Sequence, residues 1–207
     1  MRIGVFGGTF DPIHTGHLIV AEVAREALPL DLVVFVPAGQ PWRKMERDIS
    51  PAADRVEMVR LAIASNPFFA LSLVDVERGG PSYTADTMAD LIQQFGSEAC
   101  FFFLAGLDAV ADLPNWHQPQ HLLQLCQIVA LKRPGYVFDL KSLDALIPEA
   151  STLIQLLTVP EIEISSTELQ RRIREGRTIR YLVPMAVEQY IRQRQLSLNY
   201  DRGGATA

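Results

Sequence analysis

Gly7-Gly8-Thr9-Phe10-Asp11-Pro12-Ile13-His14-Thr15-Gly16-His17 (GGTFDPIHTGH) joins two segments of different period. Before it, Arg2–Phe6 (RIGVF) is a short apolar run that reads as a strand. After it, Gly16–Leu28 carries apolar residues at helical spacing. A strand, a glycine turn and a helix at this point open a βα unit, and the rest of the chain decides whether the unit repeats.

It does repeat. Strand candidates Asp31–Val36, Phe69–Val74, Cys100–Ala105 and Gln127–Leu131 alternate with helical patterns over Pro51–Ser65 and Ala85–Phe95. Continuous apolar strands between helices predict an α/β fold, a Rossmann-like doubly wound parallel sheet covered on both faces. After about residue 132 the pattern becomes mainly helical. Leu153–Val159 is one more strand, and Ser165–Glu175 and Pro184–Leu196 read as helices. The expected organisation is one domain over 1–196 with a helical C-terminal portion, then a loose tail over 197–207.

At 207 residues, with 48% hydrophobic and 21% charged residues, the chain suits a globular domain with a sizeable core. A net charge of −5 argues against a broad nucleic-acid surface, although a local positive cluster for a small anion is compatible with it. The two cysteines, Cys100 and Cys126, lie in apolar runs and read as buried thiols in a reducing compartment. No signal peptide precedes Gly7, and no apolar run approaches the roughly 18 residues of a membrane span. The expected location is the cytoplasm, without nucleic-acid or membrane partners; self-association is left open.

In a doubly wound sheet, ligands bind beyond the carboxyl ends of the strands, which gives the Gly7–His17 turn a high prior for function. Gly7 and Gly8 permit close backbone approach, and Thr9 adds a hydroxyl. His14 and His17 are three residues apart, so a helix opening there puts both imidazoles on one side, next to its positive dipole end. Together these make an anion cradle. A tight turn with solvated histidines is the plain alternative, and a metal site from Asp11, His14 and His17 is a weaker one, since no full ligand set is apparent.

At these residues the chain resembles the nucleotidyltransferases with an H/T-x-G-H motif, and within them the bacterial nicotinate-nucleotide adenylyltransferase family. The resemblance runs from Gly4 to about Arg192. It includes Glu77-Arg78-Gly79-Gly80-Pro81-Ser82-Tyr83-Thr84, Gly106-Leu107-Asp108, Trp116, Arg133-Pro134-Gly135, Ile164-Ser165-Ser166-Thr167 and Tyr181-Leu182-Val183-Pro184. It implies adenylyl transfer from ATP to nicotinate mononucleotide, giving deamido-NAD and pyrophosphate, with Mg²⁺ accompanying ATP. The implied catalytic residues are His14 and His17. The implied ATP contacts are Gly7, Gly8, Thr9, Phe10, Gly106, Asp108, Arg133, Ser165, Ser166 and Thr167, and the implied mononucleotide contacts are Lys44, Ser82, Tyr83, Thr84 and Trp116.

The chemistry suits those residues. The attacking phosphate is already largely ionised at neutral pH, its second pKa being about 6. Placement and donors for growing charge therefore matter more than a base. Ser165 and Glu168 form an S-x-x-E helix start, with hydroxyls on Ser166 and Thr167 beside it. Trp116 suits stacking on a pyridinium ring, against a plain core role, and Ser82 or Thr84 is the expected cap of the helix after Pro81.

The chain departs from the family pattern at two places. Gln170 stands where the family usually has arginine, with Arg171 or Arg133 as candidate substitutes. Pro41-Trp42-Arg43-Lys44 replaces the usual P-P-H-K. Rival readings are a nucleotidyltransferase for nicotinamide mononucleotide or phosphopantetheine, a cytidylyl enzyme, a synthetase fragment, and a nucleotide-binding sensor without catalysis.

Overall fold

The computed structural model describes residues 1–41, 49–132, 135 and 137–196. Six parallel strands form one sheet: β1 (Arg2–Gly8), β2 (Leu32–Pro37), β3 (Phe69–Leu71), β4 (Cys100–Gly106), β5 (Gln127–Lys132) and β6 (Ile154–Thr158), in the order β3-β2-β1-β4-β5-β6. The helices are α1 (Thr15–Ala27), α2 (Ala52–Ile63), α3 (Val74–Arg78), α4 (Thr84–Phe95), α5 (Leu107–Ala111), α6 (Pro119–Leu125), α7 (Ala150–Leu153), α8 (Ser166–Arg174) and α9 (Met185–Arg194).

The strands are apolar at consecutive positions because both faces of the sheet are covered. Val33 and Phe35 of β2, Phe102 and Leu104 of β4, and Val129 and Leu131 of β5 enter one core with Ala21 and Ala24 of α1, Met58 of α2, Leu169 of α8 and Val187 and Ile191 of α9. The alternate residues, among them Val34, Val36, Phe101, Phe103, Ile128 and Ala130, enter the other. They meet Met88 and Leu91 of α4, Val110 of α5, Leu122 of α6 and Ala150 of α7. Each strand thus feeds two cores with a period of two. No helix among the described residues is long and apolar enough to cross a membrane.

Two expectations need correction. The strand expected over Phe69–Val74 pairs only through Leu71. After Ser72 N–H donates to Phe35 O (3.0 Å), the chain turns into α3, whose Asp75 carbonyl backs onto Gly39. Cys100 is exposed rather than buried: it is the first residue of β4, paired to Met1 O through its N–H (2.9 Å) at the sheet rim, beyond the cover of the flanking helices. Cys126 is buried as expected, and loss of hydration pushes its thiol pKa up to about 12.

The strand order reverses between β1 and β4, which places a crevice beyond their carboxyl ends. Gly7 and Gly8 end β1 and Gly106 ends β4, so the glycine turn and the Gly106–Asp108 segment meet at this crevice.

Candidate active site

Helix α1 starts at the crevice, with His14 as its N-cap residue. The His14 N–H donates to His17 Nδ1 (3.2 Å), and the two rings stack with centroids 3.6 Å apart and planes 24° apart. With Nδ1 accepting, the neutral His17 ring carries its proton on Nε2. The Gly16 position explains the glycine between the histidines. A Cβ there would lie 3.0 Å from His14 Nδ1 and 3.2 Å from His14 Cε1, inside the space the buried ring occupies.

The start of α1 is less open to an anion than its dipole suggests. Thr15 N–H donates to Leu182 O (2.9 Å) and His17 N–H to His14 O (2.9 Å), so two donors of the first turn are engaged within the protein. The Tyr181–Pro184 segment therefore acts as a clamp on the histidine helix.

Helix α8 meets the same turn. Ser165 caps it, accepting from Glu168 N–H (3.2 Å), and Ser166 Oγ donates to Pro12 O (3.0 Å). Gln170 Nε2 donates to Asp11 O (2.9 Å) and to Asp11 Oδ2 (2.8 Å). Gln170 is thus a tie to the Gly7–His17 turn. Arg171 does not take over the family arginine's direction: it pairs with Glu168 (2.8 Å) and Glu175 (3.1 Å) on the exposed side of α8. Asp11 is buried, and its Oδ2 also accepts from Ser50 N–H (2.9 Å). Among the described residues, no three His, Cys, Asp or Glu groups are placed to hold a metal.

Two cavities adjoin at Phe6, Gly106 and Ala109. One, of about 470 Å³, is lined by His14, His17, Asp108 and Ser165–Thr167. The other, of about 350 Å³, is lined by Gly7, Gly8, Thr9, Ser82, Tyr83, Thr84, Trp116 and His117. Gly7, Gly8 and Thr9, expected at ATP, therefore face the second cavity. Phe10 lines neither; its buried ring sits edge-on to His17 at 5.2 Å and backs that imidazole from the core. Lys44 and Arg133 lie outside the described residues, as do Trp42 and Arg43.

The second cavity is shaped by the GGPSYT turn. Gly79 and Gly80 adopt φ of 70° and 71°, a region that side chains disfavour, and they reverse the chain after α3. Ser82 Oγ accepts from Gly39 N–H (2.9 Å) and Gln40 N–H (3.3 Å), joining this turn to the end of β2. The N-cap of α4 is Tyr83, not Ser82 or Thr84: the Ser82 oxygen is engaged by Gly39 and Gln40 just after β2, and Thr84 is already helical. Trp116 packs edge-on against Phe103 (6.0 Å, 89°), and Tyr83 stacks on His117 (4.3 Å, 25°).

Two contributors were not singled out from the sequence. Arg55, fully buried in α2, donates to the carbonyls of Ser50 (3.0 Å), Thr9 (2.9 Å), Ala38 (2.6 Å) and Gly39 (3.1 Å). It thereby fixes the ends of β1 and β2 relative to each other. Burial lowers its pKa, and the Asp11 charge opposes that shift. The other is His117, for which proximity to Trp116 was the available signal.

The chain matches the cytidylyltransferase-like family over residues 5–172. A protein of Thermomicrobium roseum named "Probable nicotinate-nucleotide adenylyltransferase" is 50% identical over 92% of this chain and 88% of its own length. The chain belongs to the nicotinate-nucleotide adenylyltransferase family. A relative of the same name from Acidothermus cellulolyticus is 45% identical over 98% of this chain and 97% of its own. The fold is shared with the Plasmodium falciparum nicotinic acid mononucleotide adenylyltransferase complexed with NaAD, with a TM-score of 0.75 at 18% identity, over 95% of this chain and 97% of that one.

Proposed function

We propose that this chain transfers the adenylyl group of ATP to nicotinate mononucleotide, releasing pyrophosphate and forming deamido-NAD. The observation that carries this reading is the pair of adjoining cavities at the strand reversal, one lined by the stacked histidines and the other by Trp116. ATP phosphates are assigned to the histidine side and the pyridine ring to the Trp116 side. The mononucleotide phosphate then attacks the α-phosphorus near the shared floor of Phe6, Gly106 and Ala109, with pyrophosphate leaving in line.

The His17 Nε2–H donates to the charge that builds on the transferred phosphorus and leaving oxygens, and His14, stacked on it, fixes the ring plane. Ser165 and Thr167, at the start of α8, are assigned to the outer phosphates. Mg²⁺ fits this site as an ion held mainly by phosphate oxygens and water: Asp108 is the single acidic residue lining the histidine cavity among those described. Bound there, it would neutralise phosphate charge.

The test is pyrophosphate release from ATP and Mg²⁺ with nicotinate mononucleotide, nicotinamide mononucleotide and phosphopantetheine offered separately. Release with the nicotinate substrate above the others is expected. A preference for the amide or for phosphopantetheine overturns the substrate assignment, and ATP binding without pyrophosphate from any of them points to a sensor.

A further inference from the structure

The segment Tyr181-Leu182-Val183-Pro184 lines neither of the two cavities that meet at Phe6. Its Tyr181 and Val183 border another, of about 440 Å³, together with Arg180 and with Met185, Glu188 and Arg192 of α9. That volume is in the range of small-molecule sites, roughly 300–1,000 Å³.

The apolar wall of this cavity is open to solvent. Tyr181 holds a φ of 67°, the left-handed region that a side chain disfavours, yet its ring is 87% exposed and packs on little of the protein. Met185, the first residue of α9, lines the same space and is 73% exposed. A strained backbone is here spent on presenting an aromatic face outward.

The polar wall carries excess positive charge. Glu188 is buried, and Arg192 Nη2 closes on its Oε1 at 2.6 Å, which neutralises it. Arg180 Nε approaches the other oxygen only to 3.9 Å, beyond hydrogen-bond distance, so its guanidinium keeps donors for a further anion. Both arginine side chains are more than half exposed. A planar guanidinium matches a phosphate, and an outward phenol ring matches the face of a base.

We propose that this cavity is a second binding site, separate from the two at the strand reversal, for a small nucleoside phosphate, with its base on Tyr181 and its phosphate on Arg180. The site does not depend on the reaction assigned above.

Equilibrium dialysis of AMP against the full-length protein tests it, with the Arg180→Gln, Met185→Glu and Met185→Gln variants alongside. AMP that fills a catalytic cavity is common to all four proteins, so the difference between them reports this cavity alone. Arg180→Gln removes the phosphate donor. Met185→Glu sets a carboxylate in the cavity wall while suiting the first turn of α9. Each is expected to bind about one AMP per chain fewer than the parent, or to bind it at one site about tenfold or more weakly, the scale of a charge-assisted hydrogen bond. Met185→Gln, uncharged and of similar size, is expected to stay within roughly threefold of the parent. In the same assay adenosine, which lacks the phosphate, and inorganic phosphate, which lacks the ring, are each expected to bind this cavity at least about tenfold more weakly than AMP. An Arg180→Gln or Met185→Glu variant that binds AMP as the parent does overturns the proposal. So does an equal loss in Met185→Gln, or inorganic phosphate binding as tightly as AMP.

Discussion

The two cavities that meet at Phe6, Gly106 and Ala109 are held in shape by different means. The histidine side is tied by hydrogen bonds from distant chain: Ser166 to Pro12 and Gln170 to Asp11 from α8, and Thr15 to Leu182 in the segment before α9, all linking the C-terminal portion to the first turn. The Trp116 side is walled by rings, with Tyr83 on His117 and Trp116 on Phe103, around a backbone frame set by the buried Arg55. Hydrogen bonds fix direction, which a charged transition state needs; ring surfaces supply area and tolerate small shifts, which suits recognition of a flat heterocycle. On the proposed function, reaction geometry and substrate choice are thereby carried by separable parts of the chain.

Substitutions on each side test that division. The largest effect is expected for His17→Ala, which removes a donor from the histidine side: kcat falls about 10²–10³-fold. Loss of the bond to His14 N–H costs about 1 kcal/mol, so Tm drops by roughly 2–4 °C. A folded variant with near-parental kcat would falsify the role. Arg55→Met leaves four carbonyls without their donor, and about 3 kcal/mol of stability is expected to go, or roughly 6–12 °C in Tm by calorimetry. An unchanged Tm would mean that the frame does not depend on this guanidinium.

Trp116→Ala is expected to raise the KM for the mononucleotide about tenfold or more, since aromatic stacking contributes about 1–3 kcal/mol, and to leave the KM for ATP unmoved. Equal rises in both constants would break the separation between the cavities. Gln170→Ala removes the bonds to Asp11, with an expected loss of about 1 kcal/mol. Steady-state kinetics should then show kcat falling more than the KM for the mononucleotide changes; the reverse pattern would place Gln170 on the recognition side.

Much of the fold was legible because burial on both faces leaves a direct trace in a strand. Val33–Val36, Phe101–Ala105 and Ile128–Leu131 are apolar without a break, and the core takes alternate residues from each. Short elements left no such trace. α3, α5 and α7 span too few residues for a helical period to develop, and β3 pairs through three residues only. The histidine pair and its glycine were readable from spacing, since i and i+3 share a helix face. Arg55 was not, because an arginine in an amphipathic pattern reads as a solvent-facing cation until its carbonyl partners are seen. Cys100 misled for the opposite reason: an apolar neighbourhood in sequence does not reveal which residue lies at the rim. Gln170 was visible as a departure, but its partner Asp11 is far away in the chain, so its structural meaning depended on the folded arrangement.

The shared floor has a consequence for what happens after the bond is made. On the proposed function each substrate fills one cavity, whereas a dinucleotide product occupies both. Its two halves hold each other at high effective concentration, so release of either half is followed by rapid rebinding unless the other also lets go. Phe6, Gly106 and Ala109 line both cavities, so on the proposed function the expected slow step of the cycle is product exit.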